Sequence, residues 1–260
     1  MRQSASSLTS TSIKDAPMTE PDSGSPTVVL VHGAFADAGG WAAVVGLLLA
    51  AKVKVQALAI PMRGLASDSA YVASAISQID GPVLAVGHSY GGAVISNACA
   101  DAANVVGLVF VNGFATELDE VLSAVEGTSR DSALGPALVT RQYPTGSGDE
   151  MAVELYVNPA NFNDVFGGDL PETQASVLGV SQRPIAAAAF DEKSSVPAWK
   201  TLPSWAVVAT GDKAAGTDIT RSQAKRANAD IIEVDGSHLI MVSQPQVVTD
   251  HILKALRSVS

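Results

Sequence analysis

The sequence predicts an α/β fold, a doubly wound and mostly parallel six-stranded sheet with a helical cap insertion, and three observations predict it. From Thr27 onward, short apolar runs alternate with stretches of helical character, the pattern of successive βαβ units. Runs such as Val28-Val29-Leu30-Val31 and Val83-Leu84-Ala85-Val86 are continuously apolar rather than alternating, as strands covered on both faces are. Finally, Gly87-His88-Ser89-Tyr90-Gly91 joins the second of these runs directly to the apolar stretch Gly92-Ala93-Val94-Ile95, a strand-turn-helix junction in which the G-x-S-x-G pattern carries chemical meaning.

In chain order, Met1 to Pro26 is rich in Ser, Thr, Pro and Gly and has no apolar run, so it reads as a disordered tail and not as a signal peptide, which needs an apolar central region. The first strand is expected at Val28 to His32 and leads into the loop His32-Gly33-Ala34-Phe35. A helix follows near Trp41 to Ala51, then a strand at Lys54 to Leu58 and a helix near Ser67 to Ile79. The strand Val83 to Val86 ends at the serine turn, where a sharp strand-to-helix reversal requires Gly87 and Gly91 to lack side-chain bulk. The helix Gly91 to Ala102 and the strand Val105 to Val111 complete this half.

The alternation then breaks between about Ala115 and Pro197. That stretch is too long for a loop inside a compact domain and too polar and Gly-rich for another βα unit, so it is expected to be a cap. Short helices are expected within it at Leu118 to Val125, Asp149 to Tyr156, Pro171 to Ser181 and Pro184 to Glu192, separated by turns such as Tyr143-Pro144-Thr145-Gly146. The sheet resumes with strands at Trp205 to Thr210 and Asp230 to Val234, flanked by helices near Ile219 to Ala227 and Gln244 to Leu256.

The chemistry follows from what a serine needs. Ser89 is a poor nucleophile unless a base removes its proton, and of the four histidines His238 is placed best. It lies on a loop after the run Asp230 to Val234, at the strand edge where catalytic groups of open α/β sheets gather. His88 is expected to pack behind the serine, His32 to brace its own loop, and His251 to sit on the last helix. The histidine needs an acid to hold its tautomer, and the chain order Ser, acid, His points to Asp212, after Gly211 at the end of Trp205 to Thr210. Asp218, read as capping the helix near Ile219, competes with it, as do Glu117, Asp119 and Asp235. Backbone N–H groups of Ala34 and Tyr90 are the candidate oxyanion donors.

The segments VVLVHGAFADAGGW, PVLAVGHSYGGAVI, SWAVVATGDK and EVDGSHLIMVSQP identify the chain as resembling the α/β-hydrolase superfamily. The likeness is strongest to its small bacterial esterase-like members and more distant to the plant methylesterase and hydroxynitrile lyase branch. It spans about Thr27 to the C-terminus. It implies a Ser89, Asp212, His238 triad with Ala34 and Tyr90 as oxyanion hole, and a cap that covers the serine and supplies the substrate pocket. Phe35, Phe114, Leu118, Leu122, Tyr156, Phe162, Phe166, Phe190 and Leu239 are candidate pocket residues. The stretch Gly211 to Thr217 is longer and richer in Gly and Ala than the acid loop usual in relatives.

Composition sets the remaining bounds. The 260 residues carry a net charge of −10, which disfavours nucleic acid and anionic membrane surfaces as partners. The single cysteine, Cys99, has no partner for an intramolecular disulfide and reads as a small packed hydrophobe. Nothing matches metal-ligand spacing, so neither metal nor cofactor is expected. The expectation is a cytoplasmic serine hydrolase, monomeric or homodimeric, acting on small carboxylic esters or lactones. The alternatives are perhydrolysis on the same acyl-enzyme and a ligand-binding or signalling module that keeps the fold. Cyanohydrin cleavage is disfavoured, because Leu239 stands where the resembling lyases carry a lysine. Dehalogenases and epoxide hydrolases of this fold place an aspartate at the position of Ser89.

Overall fold

A computed structural model describes residues 24–260; most of the tail expected at Met1 to Pro26 lies outside the described residues. The sheet is built from β1 (Thr27–Val31), β2 (Val55–Leu58), β3 (Val83–His88), β4 (Val105–Val111), β8 (Ser204–Ala209) and β9 (Asp230–Val234). Its strand order is β2-β1-β3-β4-β8-β9, and every neighbouring pair runs parallel. All residues of β1, β3 and β8 are buried, which is why their sequences are apolar without alternation. The chain builds outward from β1 to β2 and then returns to β3, so the winding direction switches between β1 and β3. The crevice beyond the carboxyl ends of those two strands is where open α/β sheets bind ligands.

The flanking helices are α1 (Ala42–Ala50), α2 (Leu65–Ser77), α3 (Tyr90–Ala98), α9 (Thr217–Arg226) and α11 (Pro245–Val259). Each lies within a few residues of its expected position. A short α10 (Ile240–Ser243) precedes the last helix. Among the described residues no helix is long and apolar enough to cross a membrane. His251 is buried on α11, where its Nε2 donates to the carbonyl of Asp230 at 3.0 Å and ties the last helix to the start of β9.

The segment between β4 and β8 differs from the helical cap the sequence suggests. It holds α4 (Leu122–Glu126), α5 (Leu134–Ala137), β5 (Leu138–Pro144), β6 (Met151–Val157), α6 (Pro159–Phe166), α7 (Glu172–Ser181), β7 (Ile185–Ala186) and α8 (Ala188–Asp191). The strands form a separate antiparallel sheet in the order β5-β6-β7. The helix expected at Asp149 to Tyr156 is therefore a strand, and the one expected at Pro184 to Glu192 is split into β7 and α8. Met151, Ala152, Glu154 and Leu155 are good helix formers, but pairing from Leu138↔Val157 to Pro144↔Met151 overrides that weak preference. Gly146 and Gly148, at φ of +88° and +61°, make the reversal that the hairpin needs.

This segment is fastened across the switch-point crevice by polar ties. Arg63 donates to Glu154 at 2.9 Å, the N–H of Ala186 donates to the carbonyl of Met62 at 2.9 Å, and Glu192 accepts from the N–H of Ala66 at 2.8 Å on the first turn of α2. On the opposite side, the N–H of Leu239 donates to the carbonyl of Phe166 at 3.1 Å.

Candidate active site

β3 runs into Ser89, whose φ of +52° and ψ of −123° place it in a conformation that side chains rarely adopt, and α3 begins at the next residue. The turn is clamped at both backbone ends. Ser89 N–H donates to Val111 O at 3.2 Å, while its carbonyl accepts from the N–H groups of Gly92 at 2.9 Å and Phe114 at 3.1 Å. The flanking glycines are sterically required. A Cβ on Gly91 would sit 2.5 Å from the carbonyl oxygen of Val31, and one on Gly87 would collide with the carbonyl of Gly91.

Asp212 and His238 meet at the carboxyl ends of β8 and β9. His238 Nδ1 lies 2.8 Å from Asp212 Oδ2, and both side chains are buried. Asp212 Oδ1 accepts from the N–H groups of Ala214 and Ala215 at 2.9 and 3.0 Å. The long Gly/Ala acid loop thus has a reason: small residues let the backbone curl around the carboxylate and bond it. With Nδ1–H donated to Asp212, the other nitrogen of His238 carries its lone pair. That Nε2 is buried without a hydrogen-bond partner, and Ser89 and His238 line the same cavity.

The competing acids are occupied elsewhere. Glu117 pairs with Lys200 and Asp119 with Lys193, and the nearest side-chain partner of Asp235 is Thr210 at 3.5 Å. Asp218 lies in the first turn of α9, which begins at Thr217 with Gly216 at the cap position, and its Oδ1 accepts from the N–H of Ile219 at 3.0 Å. It also accepts from Ser129 Oγ at 2.6 Å and from the N–H of Arg130 at 2.9 Å, binding the inserted segment to α9.

His238 is held through its backbone as well as its ring. The carbonyl of His238 accepts from His88 Nε2 at 3.0 Å and from Asn112 Nδ2 at 3.0 Å, while Asn112 Oδ1 accepts from the N–H of Ala209 at 2.7 Å. Asn112, not singled out in the sequence, therefore joins the ends of three strands' loops around His238. The rings of His238 and Phe166 lie perpendicular, at 90°, with their centroids 5.0 Å apart. His32 braces the first loop, accepting from the N–H of Ile60 at 3.1 Å through Nε2 and facing the carbonyl of Gly33 at 2.9 Å through Nδ1.

Burial lowers the pKa of His32, and burial followed by the proximity of His238 lowers that of His88 well below the usual value. Both imidazoles therefore take up a proton at lower pH in the folded protein than in the unfolded chain, which protonates them as pH falls below about 6.5. Because the unfolded state binds more protons there, stability is fully present above that pH. It falls below it by up to about 1.4 kcal/mol per pH unit for each histidine. Urea unfolding between pH 7.5 and 5.5 should show a decreasing midpoint on acidification. A constant midpoint would contradict neutral burial of this pair.

Tyr90 is the first residue of α3, so its N–H has no acceptor within the helix. Its phenol donates to the buried Asp68 at 2.8 Å, which fixes the residue whose N–H adjoins Ser89. Burial raises the pKa of both the Asp68 carboxyl and the Tyr90 phenol, so the pair is held by a neutral donor on its acceptor. The cavity at Ser89 is only about 10 Å³ and is lined by Ala34, Phe35, Phe114, Phe166, Phe190 and His238 among the expected residues. Glu126, Leu134, Ala214 and Ala215 also line it, and nothing local in the sequence marks them for that place.

Three expected pocket residues lie elsewhere. Leu118 is 49 % exposed, and Leu122 is buried outside the cavity. Tyr156 belongs to the antiparallel sheet, where it donates to Glu154 at 2.8 Å and stacks under Arg141. Phe162 and Leu239 line an adjoining apolar cavity of about 250 Å³, which shares Phe35 and Phe166 with the first. Those two rings, 5.7 Å apart and nearly perpendicular, form the partition between the two spaces. A wider groove of about 820 Å³ between α2 and α3 includes none of the triad candidates.

The alpha/beta hydrolase family model matches residues 28–251. Among solved structures, polyneuridine aldehyde esterase is similar at 19% identity and a TM-score of 0.74, over 89% of this chain and 99% of that one. Tomato methylketone synthase I is similar at 18% identity and a TM-score of 0.75, over 91% and 99%. A methylesterase from Arabidopsis is similar at 17% identity and a TM-score of 0.73, over 90% and 99%. At these identities the likeness is one of fold. No curated protein matches the chain.

Proposed function

The chain belongs to the alpha/beta hydrolase family, and from that premise we propose that it is a serine hydrolase of small carboxylic esters or lactones working through an acyl-enzyme on Ser89. The observation that carries this reading is the 2.8 Å contact of His238 Nδ1 with Asp212, which leaves a bare Nε2 at the cavity of Ser89. Structural likeness to an esterase and a methylesterase supports the reaction class.

In the first half-reaction His238 Nε2 takes the Ser89 Oγ proton as Oγ bonds to the ester carbonyl carbon. The resulting oxyanion is stabilised by the N–H groups of Ala34 and Tyr90. Collapse of the tetrahedral adduct breaks the bond to the alcohol oxygen, which receives the proton from His238. Water, activated by the same nitrogen, then releases the acid and restores Ser89. Asp212 keeps the imidazole in the required tautomer and stabilises the imidazolium formed in both halves. Leu239 lines the neighbouring cavity and offers no charge to hold a cyanide leaving group, which favours hydrolysis over cyanohydrin cleavage.

The test is turnover of p-nitrophenyl acetate together with mass spectrometry of the quenched enzyme. An acetyl group on the peptide that contains Ser89 is the expected result. Turnover with the adduct on another residue, or no turnover of any short ester or lactone, would overturn the reading.

A further inference from the structure

Glu126 ends α4 and reaches the Ser89 cavity from the inserted segment. Its Oε1 lies 2.6 Å from the hydroxyl of Ser132, which is also 2.8 Å from the carbonyl of Ala214. A hydroxyl has one proton, so Ser132 satisfies the carboxylate only part of the time. Among the described residues no Lys, Arg or His forms an ion pair with Glu126, and no hydrogen bond reaches its Oε2. The rest of the cavity wall is Ser89 and His238, the rings of Phe35, Phe114, Phe166 and Phe190, and the aliphatic side chains of Ala34, Leu134, Ala214 and Ala215.

An uncompensated carboxylate beside such a wall acts through less solvent than one at an open surface, so its field on a bound group is stronger. Aromatic rings add a quadrupole of the same preference, since their faces attract cations. The two features select one ligand chemistry: an organic ammonium. They oppose a substrate carboxylate, which would face Glu126 as well as lose its hydration.

We propose that Glu126 makes the Ser89 site selective for esters that carry an ammonium group near the scissile bond. The inference rests on the hydrolase reading given above and narrows its substrate class. The small volume of the cavity means that admission of such a group requires a side chain of the wall to swing aside, with Phe35 and Phe166 opening onto the neighbouring 250 Å³ cavity as the available route.

The test compares three ethyl esters of similar shape: β-alanine ethyl ester, ethyl butyrate and monoethyl succinate. They end in an ammonium, a methyl and a carboxylate. A second pair, 2-(dimethylamino)ethyl acetate and 3-methylbutyl acetate, places the charge on the alcohol side. In the wild-type protein kcat/KM for the ammonium ester should exceed that for its neutral isostere by about tenfold or more in at least one series, with the succinate ester slowest. Glu126→Gln keeps an acceptor for Ser132 but removes the charge, and should reduce the ammonium preference by about tenfold. Glu126→Asp should retain most of it.

A purely structural Glu126 predicts the same ammonium preference in wild type and Glu126→Gln, and that result overturns the proposal. If none of the esters is turned over, the hydrolase reading fails, and the site is judged by calorimetry with n-propylammonium chloride. Binding at least about tenfold weaker to Glu126→Gln than to wild type supports the site. Equal binding, or none to either, overturns it.

Discussion

Ser89→Ala is expected to reduce turnover of a p-nitrophenyl ester by at least about three orders of magnitude, because the members of a triad act as a unit and no other group can carry the acyl chain. The protein should remain folded. Alanine faces the same backbone demand as serine at φ +52°, and the bonds that clamp the turn, from the N–H of Ser89 to Val111 and to its carbonyl from Gly92 and Phe114, involve the main chain alone. The measurement pairs initial rates with a urea unfolding curve on the same preparation. A rate near wild type in a folded variant removes Ser89 from the mechanism.

Asp212→Asn is expected to cost about 10³ to 10⁴ in turnover, through tautomer rather than geometry. The asparagine carbonyl can keep accepting from Ala214 and Ala215, which turns its amide N–H toward His238 Nδ1. That nitrogen must then become the acceptor, so the ring proton moves to Nε2 and the base can no longer take a proton from Ser89. Asp218→Asn should cost less than about tenfold, because Asp218 binds Ser129 and Arg130 and does not touch His238. Reversal of the two effects in parallel assays would transfer the acid's role to Asp218.

The sheet and the order of the loops that carry Ser89, Asp212 and His238 were legible because they rest on local rules. A strand buried on both faces has to be apolar along its length, and a serine turned out between strand and helix has to be flanked by glycine, so β1, β3 and the Ser89 turn announce themselves. The carboxylate that meets His238 was harder. Asp212, Asp218 and Asp235 look alike in sequence, and what separates them is a backbone loop that bonds one carboxylate and a histidine that arrives 26 positions later.

The inserted segment was the least legible. Met151 to Val157 mixes good helix formers, Met151, Ala152, Glu154 and Leu155, with strand-favouring Val153, Tyr156 and Val157, and its register with Leu138 to Pro144 decides for a strand. The same pairing holds Tyr156 in the antiparallel sheet and away from the cavity of Ser89. Glu126 and Ala214 share a wall although 88 positions separate them. Asn112 has the same character: nothing beside it in sequence hints that it will bond the loops of Ala209 and His238.

The left-handed backbone of Ser89 also sets the direction in which the protein would drift if turnover ceased to matter. A side chain held at such an angle raises the energy of the native state by about 1–3 kcal/mol, a tension that glycine at position 89 would release. Breeding for heat tolerance alone would therefore exchange this serine for glycine and arrive at a sturdier, inert protein. On the proposed hydrolase reading, a serine at this turn persists only where the reaction itself is selected.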